Sequence, residues 1–191
     1  MFLRVYKKNP IWYVNGMKMI FDKASIMPLS LTAAIVICDQ VIKSWIVHSW
    51  PIEGTLIRDM FGNGLVQFLH VRNRAIAFSL GYNLPEAVRP FLFVILPVIV
   101  LGLLLCYYFS TSDFLAVQRW AIAGIVGGGL GNIADRIFRK DGVVDYISVR
   151  FFGIFGWERW PTFNLADSSV VVCCLILLVS MIFLSGKEVQ A

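Results

Sequence analysis

The chain has 191 residues, of which 58% are hydrophobic and 15% charged, and it carries a formal net charge of +5. An ordinary soluble domain is about 45–50% apolar, so this composition indicates an integral membrane protein and leaves no room for two sizeable domains. The basic residues are scattered and accompany no recognisable binding motif, which argues against a nucleic-acid partner.

The cysteines and histidines give no sign of a metal site or a cofactor. All four cysteines lie inside apolar runs, where a thiol packs as a small hydrophobic group. His48 and His70 stand in unrelated segments, so neither the ligand spacing of a zinc site nor a Ser-His-Asp arrangement can be assembled. We therefore expect free thiols, no metal and no cofactor.

Residues 1–28 form a basic, aromatic-rich tail with five Lys or Arg residues and one acid. The tail has no apolar run followed by a small-residue cleavage site, so it is not interpreted as a secretory signal. Trp12 and Tyr13 are residue types that favour the headgroup level of a membrane. We predict a cytoplasmic or interfacial tail.

Four apolar runs follow, at residues 29–47, 91–109, 120–137 and 163–184. Each is close to the ~20 residues that a helix needs to cross ~30 Å of hydrocarbon, so four transmembrane helices are predicted. An even number of crossings leaves both termini on one side, and the basic tail indicates that this side is the cytoplasm. Residues 186–191 then form a short cytoplasmic C-terminal tail.

This topology places residues 48–90 and 138–162 outside the cytoplasm. The usual excess of positive charge on the inner side is then not obeyed, because the inner loop at 110–119 has only Arg119 while several bases lie on the outer side, among them Arg136, Arg139, Lys140, Arg150 and Arg159. Residues 66–72 tend to alternate between apolar and polar, which predicts a strand of a small extracytoplasmic sheet. Leu84-Pro85-Glu86 is typical of the start of a short surface helix. The predicted fold class is an all-α integral membrane protein with a membrane domain over 29–185, a small extracytoplasmic β-sheet and a short surface helix.

The third run carries two pairs of glycines spaced four apart, Gly124 with Gly128 and Gly127 with Gly131. Small residues at this spacing let helix backbones approach closely where lipid supplies no hydrophobic drive. We therefore expect the residues after Gly131 to lie near a neighbouring helix.

Polar residues mark the membrane helices at particular positions. Asp39 and Lys43 are four apart, so they share a helix face and are interpreted as a structural ion pair. Asn132, Asp135 and Arg136 end the third run, and Asn164 and Asp167 open the fourth at the same predicted level. Because Asp135 precedes Arg136 and is near Arg139, it is interpreted as an ionised structural acid.

Asp145 and Asp167 are the candidate catalytic pair. Asp167 has a simpler interpretation, since an acid in the first turn of a helix is stabilised by the helix dipole. Asp145, however, is flanked by apolar residues on both sides, a setting that raises a carboxyl pKa by desolvation. Two carboxyl groups brought together would share one proton, which is the apparatus of an aspartic hydrolase.

Five motifs occur in the order that is typical of one family. They are Asp39-Gln-Val-Ile-Lys43, Asn73-Arg-Ala-Ile-Ala-Phe78-Ser79, Gly131-Asn-Ile-Ala-Asp135-Arg136, Gly142-Val-Val-Asp145-Tyr146-Ile147 and Phe163-Asn-Leu-Ala-Asp167-Ser168. Together they resemble the motif set of the lipoprotein signal peptidase (signal peptidase II) family.

The resemblance implies a four-helix aspartic endopeptidase of the bacterial inner membrane, with its active site toward the outer leaflet. Its substrate would be a prolipoprotein, cut just before a diacylglyceryl-modified cysteine, and its other partner would be membrane lipid. The resemblance assigns catalysis to Asp145 and Asp167, and substrate contact or support to Asn73, Asn132, Arg136 and Asn164. Asp39 and Lys43 belong to the first-span motif, and a monomer is expected.

The chain departs from the family pattern at three places. Ala75 and Ile76 stand where the family uses smaller residues, which affects the predicted shape of the surface sheet. The connection from Asp135 to Asp145 is about one residue longer than in the family pattern and carries the extra charges Arg139-Lys140-Asp141. The basic tail before residue 29 has no counterpart in the family pattern.

Two other functions remain open from the residues. A proton- or ion-conducting protein could use the same carboxylates as a relay, although they gather at one membrane level and no inverted repeat accompanies them. A non-catalytic homologue that binds lipoproteins is the second alternative, favoured by the departure at Ala75.

Overall fold

The structure is a computed structural model that describes residues 11–14, 17–74, 85 and 88–183. The helices are α1 (Lys23–Ile26), α2 (Leu29–Ser49), α3 (Leu96–Ser110), α4 (Ala116–Phe138) and α5 (Leu165–Phe183), and a π-helical turn (Phe91–Ile95) leads into α3. The strands are β1 (Ile11–Val14), β2 (Met17–Ile20), β3 (Leu56–Asp59), β4 (Val66–Asn73), β5 (Val143–Ile154) and β6 (Trp157–Arg159). The four predicted apolar runs therefore correspond to α2, the π-turn with α3, α4 and α5.

Three helical stretches of the described chain are long and apolar enough to cross a membrane: Lys23–Ser49, Phe91–Ser110 and Leu165–Phe183. The predicted third span corresponds to α4, which is 23 residues long but interrupted by polar residues near both ends. About half of its residues are buried, and it packs against α2, α3 and α5. The architecture is thus that of a membrane protein in which α4 is the central helix.

The glycines of α4 explain how the neighbouring helices approach so closely. A Cβ atom added to Gly128 would collide with the backbone carbonyl oxygen of Ala166 on α5. One added to Gly127 would lie 3.1 Å from the Cα of Thr32 on α2. The close helix approach predicted from the glycine spacing is confirmed, and the two glycine pairs serve two different helices.

A four-stranded antiparallel sheet in the order β3-β4-β5-β6 lies beside the helices. The predicted strand at 66–72 is confirmed as β4. The longest strand, β5, was missed although β-branched and aromatic residues favour strands throughout 143–152. In the register of β4 and β5, Val71 lies opposite Asp145 and Asn73 lies opposite Val143.

The sheet is attached to the helices by a cluster of Ile46 on α2 with Val144 and Tyr146 on β5, all three of which are buried. A backbone bridge between Ile147 and Phe163 joins β5 to the segment that enters α5. These contacts hold the first half of β5 against the C-terminal part of α2 and the segment that enters α5.

Part of the predicted basic tail is folded onto the helices. Strands β1 and β2 pair as an antiparallel hairpin, and Asp22 caps α1 by accepting from the Ser25 amide at 2.8 Å. The buried Tyr108 hydroxyl of α3 donates to the Ser25 carbonyl at 2.6 Å. The predicted surface helix near residue 84 and the tail at 186–191 lie largely or wholly outside the described residues.

Candidate active site

Strand β5 directs Asp145 away from α2 and toward a cavity. Successive side chains of a strand point to opposite faces, and Val144 and Tyr146 on either side pack against α2. Asp145 therefore faces the other way, yet only 2% of it is exposed. Its Oδ2 accepts from the Asn73 side-chain amide at 2.9 Å, and its Oδ1 accepts from that of Asn164 at 2.7 Å.

Asp167 lies in the first turn of α5, as an acid that caps the helix would. Its Oδ2 accepts from the backbone N–H of Asn164 at 3.1 Å, and its own N–H donates to the Asn164 side-chain oxygen at 2.9 Å. Its second oxygen, Oδ1, accepts from the Asn132 side-chain amide at 2.7 Å. Asp167 thus makes the helix-start contact and also lines the same cavity as Asp145.

Asn164 connects the two aspartates. Its side-chain amide donates to Asp145 Oδ1 and also, at 3.1 Å, to the side-chain oxygen of Asn132. Asn132 in turn donates to Asp167. The two carboxyl groups are therefore held by two asparagines that are hydrogen-bonded to each other.

Lys43 determines the orientation of Asn132. The Lys43 ammonium donates to the Asn132 side-chain oxygen at 3.0 Å, and an ammonium group can only donate. The amide nitrogen of Asn132 must consequently face Asp167. The predicted pair of Asp39 and Lys43 is formed at 2.7 Å, and a second ion pair at 3.1 Å, not predicted, joins Lys43 to Asp135.

All three members of this ion cluster have fully buried side chains. Asp39 accepts from the backbone N–H of Ala166 at 3.2 Å, and Asp135 accepts from that of Val144 at 3.0 Å. Ala166 directly precedes Asp167, and Val144 directly precedes Asp145. The cluster therefore holds in place the backbone on which each candidate catalytic carboxylate stands.

A cavity of about 1210 Å³ opens in front of the two aspartates. Asn73, Asn132 and Arg136 line it together with Asp145 and Asp167, whereas Asn164 is fully buried behind them. Its apolar walls come from α3, α4 and α5, at Pro97, Ile133 and 170–172. The cavity thus combines polar side chains around the two aspartates with apolar walls, which is typical of a ligand-binding site.

Burial, and after it the nearby Asp167 carboxylate, raise the pKa of Asp145 to about 7 against the opposing effect of the Asn73 and Asn164 amides. An acid that keeps its proton near neutral pH thus faces the same cavity as a second carboxyl group. Among the described residues, no group of three or more His, Cys, Asp or Glu side chains is arranged to hold a metal ion.

A family model described as "Signal peptidase (SPase) II" matches residues 31–183 of the chain. The chain belongs to the signal peptidase II family. This confirms the resemblance drawn from the five motifs, and the match includes every candidate site residue.

Relatives and solved structures agree with signal peptidase II membership. The "Lipoprotein signal peptidase" of Treponema pallidum (strain Nichols) is 41% identical over 161 residues, covering 84% of this chain and 86% of that protein. The protein of the same name from Treponema denticola is 43% identical over 162 residues, covering 85% and 92%. A solved structure described as a bacterial membrane enzyme is 26% identical, with a TM-score of 0.66 and coverage of 87% of this chain and 92% of that one.

Sequence reasoning missed three residues that shape this signal peptidase II site. Gln40 donates to Asp135 at 3.0 Å and to the Gly131 carbonyl at 3.0 Å, and its place beside Asp39 in the first motif was the available signal. Tyr146 accepts from the Leu165 N–H at 3.1 Å. Gly142 has a φ of +92°, and a Cβ there would lie 2.8 Å from the Asn73 carbonyl carbon, so the site needs glycine.

Proposed function

We propose that this chain is an aspartic endopeptidase that removes the signal peptide from diacylglyceryl-modified prolipoproteins by cutting before the lipidated cysteine. The observation that carries the proposal is the pair of carboxyl groups, Asp145 and Asp167, held by hydrogen-bonded asparagines at one cavity. The names of the Treponema relatives support the choice of substrate class.

In the proposed reaction, Asp145 is the protonated member, since its pKa is raised to about 7. It donates a hydrogen bond to the scissile carbonyl, while ionised Asp167 takes a proton from a water molecule as that water attacks the carbonyl carbon. The tetrahedral intermediate then breaks its C–N bond, and the leaving cysteine nitrogen receives a proton from the dyad. The products are a new carboxylate on the signal peptide and a free amine on the lipoprotein.

The surrounding residues have supporting roles in this proposal. Asn73 and Asn164 hold the Asp145 carboxyl group from two sides, and Asn132 holds Asp167. Arg136 lines the cavity and is available as a donor to substrate carbonyl groups. The apolar wall at 170–172 on α5 offers a surface for acyl chains.

The proposed topology has four membrane crossings, with α4 as the third in chain order and both termini in the cytoplasm. A helix of 23 residues is about 35 Å long, enough to cross the hydrocarbon layer. The active site then faces the outer leaflet of the inner membrane, and the enzyme acts as a monomer. No observation favours ion conduction, because Asp39, Asp135, Asp145 and Asp167 belong to one local network of contacts.

Cleavage of a diacylglyceryl-modified precursor peptide by the purified protein tests the proposal. Asp145→Asn and Asp167→Asn are each expected to lower the cleavage rate by about 10²–10⁴-fold, because each removes one member of the acid–base pair. Asp141→Asn is the matched control, since this exposed acid lies four residues before Asp145 and outside the cavity.

Precursor binding and the unfolding temperature of each variant show whether the protein is still folded. Cleavage at the wild-type rate by either folded dyad variant would contradict the catalytic assignment. Binding without cleavage by the wild-type protein would instead identify a non-catalytic homologue.

A further inference from the structure

A second pocket, of about 300 Å³, lies beside the active-site cavity and is strongly basic. Five bases line it: Arg74, Arg89, Arg136, Arg139 and Lys140. None of the described residues that line this basic pocket is acidic. The rest of its described lining consists of Asn73, Gly142 and three apolar residues at the start of the α3 stretch, Pro90, Phe93 and Val94.

Acids lie near three of these bases: Asp135 is beside Arg139, Asp141 is near Arg74, and the Asp167 and Asp145 carboxyl groups interact with Arg136. Arg139 donates to the buried Asp135 at 3.0 Å, but Asp135 also pairs with Lys43. Arg74 is 3.8 Å from Asp141, and both side chains are more than half exposed, so solvent weakens that pair. Cations gathered around a concave surface produce a positive potential that attracts an anion.

The position of the basic pocket indicates which anion it accepts. Arg89 lies two residues before Phe91, where a helix apolar enough to cross a membrane begins. Phe91 and Ile95 of that helix are exposed, so the surface beside the pocket is apolar. The site therefore combines bases at the level of lipid headgroups with an adjoining apolar helix face.

The charges around this pocket include three of the bases that depart from the positive-inside rule. Arg136, Arg139 and Lys140 lie on the outer side in the proposed topology, and Lys140 belongs to the connection that departs from the family pattern. A diacylglyceryl-modified cysteine has no phosphate and would not bind these bases. A lipid of the outer leaflet with a negatively charged headgroup would bind them.

We propose that the basic pocket binds the phosphate of an anionic phospholipid, whose acyl chains lie along the exposed face of the π-turn and α3. The arginine guanidinium groups can donate pairs of hydrogen bonds to phosphate oxygens. Arg136 and Asn73 line both this pocket and the active-site cavity, so a bound headgroup contacts residues of the catalytic site. The proposal does not depend on the proposed peptidase activity.

Binding of a fluorescent phosphatidylglycerol to the full-length protein in neutral detergent tests this proposal. Removing one basic charge is expected to weaken binding about fivefold, and the Arg89→Gln/Lys140→Gln variant about 25-fold, if the charges act independently. Lys140→Gln alone alters an exposed side chain and keeps the test valid if the double variant does not fold. Arg58→Gln is the matched control, because Arg58 is an exposed base on β3 outside the pocket. This variant should bind phosphatidylglycerol with unchanged affinity.

Two further binding measurements distinguish the possible ligands. Phosphatidylcholine with the same acyl chains is expected to bind more weakly, and inorganic phosphate at the same concentration should displace none of the phosphatidylglycerol. Displacement by inorganic phosphate would show a free-anion site and overturn the lipid assignment. Equal losses of phosphatidylglycerol affinity in Lys140→Gln and Arg58→Gln would show general charge attraction. That result would overturn the assignment of the binding site to this pocket.

Discussion

Lys43 influences the candidate active site through a single amide. Its ammonium group makes two ion pairs, to Asp39 and Asp135, and donates a hydrogen bond to the Asn132 side-chain oxygen. That last contact fixes which end of the Asn132 side chain faces Asp167. A residue that does not line the cavity thus controls the hydrogen bonding of a residue that does.

Replacement of Lys43 by Met is expected to lower the free energy of unfolding by about 3–5 kcal/mol, because the buried Asp39 carboxylate loses its cation and Asp135 keeps only Arg139. Chemical denaturation in a mild detergent measures this. Adding Asp39→Asn should recover part of the loss by removing the unpaired charge. Lys140→Met is the control and should change stability by no more than about 0.5 kcal/mol, since Lys140 is exposed. A loss no larger for Lys43→Met than for Lys140→Met would rule out the role assigned to the cluster.

The raised pKa of Asp145 predicts a pH dependence with a definite sign. Below about pH 7 Asp145 is protonated and can polarise the scissile carbonyl; above it, both carboxyl groups are ionised and the acid is lost. The alkaline limb of kcat/KM for the precursor peptide should therefore lie near pH 7. Asn73→Ala removes a hydrogen bond that lowers the pKa, so the limb should move to higher pH. A shift to lower pH would contradict the assigned acid.

The raised pKa of Asp145 also makes the stability of the fold depend on pH. Because the folded pKa lies above the ordinary value of 3.8, Asp145 stabilises the fold fully below about pH 4, and this contribution disappears as pH rises through about 7. The Asp145→Asn variant should lose that part of the pH dependence, which thermal unfolding across this range would show.

At the scale of elements, α4 brings the candidate catalytic segments together because it presents glycine to two helices. Gly128→Ala places a methyl group against the Ala166 carbonyl oxygen, and a backbone atom cannot move away as a side chain does. We expect a loss of about 1–3 kcal/mol of stability and a larger loss of activity, since α5 carries Asp167.

Unfolding midpoints and precursor cleavage test this expectation together. Gly102→Ala on α3 is the matched control, since a Cβ there meets nothing within 4 Å and should leave both quantities unchanged. A fully active Gly128→Ala enzyme would show that the close contact of α4 with α5 is not required.

The extents of the helices were predictable because each is encoded by a local apolar run, as with α2, predicted at 29–47 and found at Leu29–Ser49. Strand β5 was not predicted, because adjacent apolar residues such as Val143-Val144 and Tyr146-Ile147 interrupt the period-two alternation that indicates a strand. Its pairing with β4 joins residues 70 to 83 positions apart in the sequence, and such pairing has no local signal.

The whole molecule has one orientation that single-cysteine labelling can test. In a background without the four native cysteines, Asn63→Cys in the loop before β4 is expected to react with a membrane-impermeant thiol reagent in intact spheroplasts. Ser112→Cys, between α3 and α4, should react only after permeabilisation; both positions are exposed. The opposite labelling pattern would reverse the topology and place the active site toward the cytoplasm.

Composition, apolar runs and five ordered motifs were enough to establish a membrane protein of the signal peptidase II family, because hydropathy and motif order are properties of the chain itself. They also singled out Asp145 and Asp167. Only the tertiary structure decided that Lys43 also binds Asp135, that Asn164 lies behind the pair and that five bases line one pocket. Desolvation and ion pairing depend on which groups surround a side chain, and here those groups come from segments that only folding brings into contact.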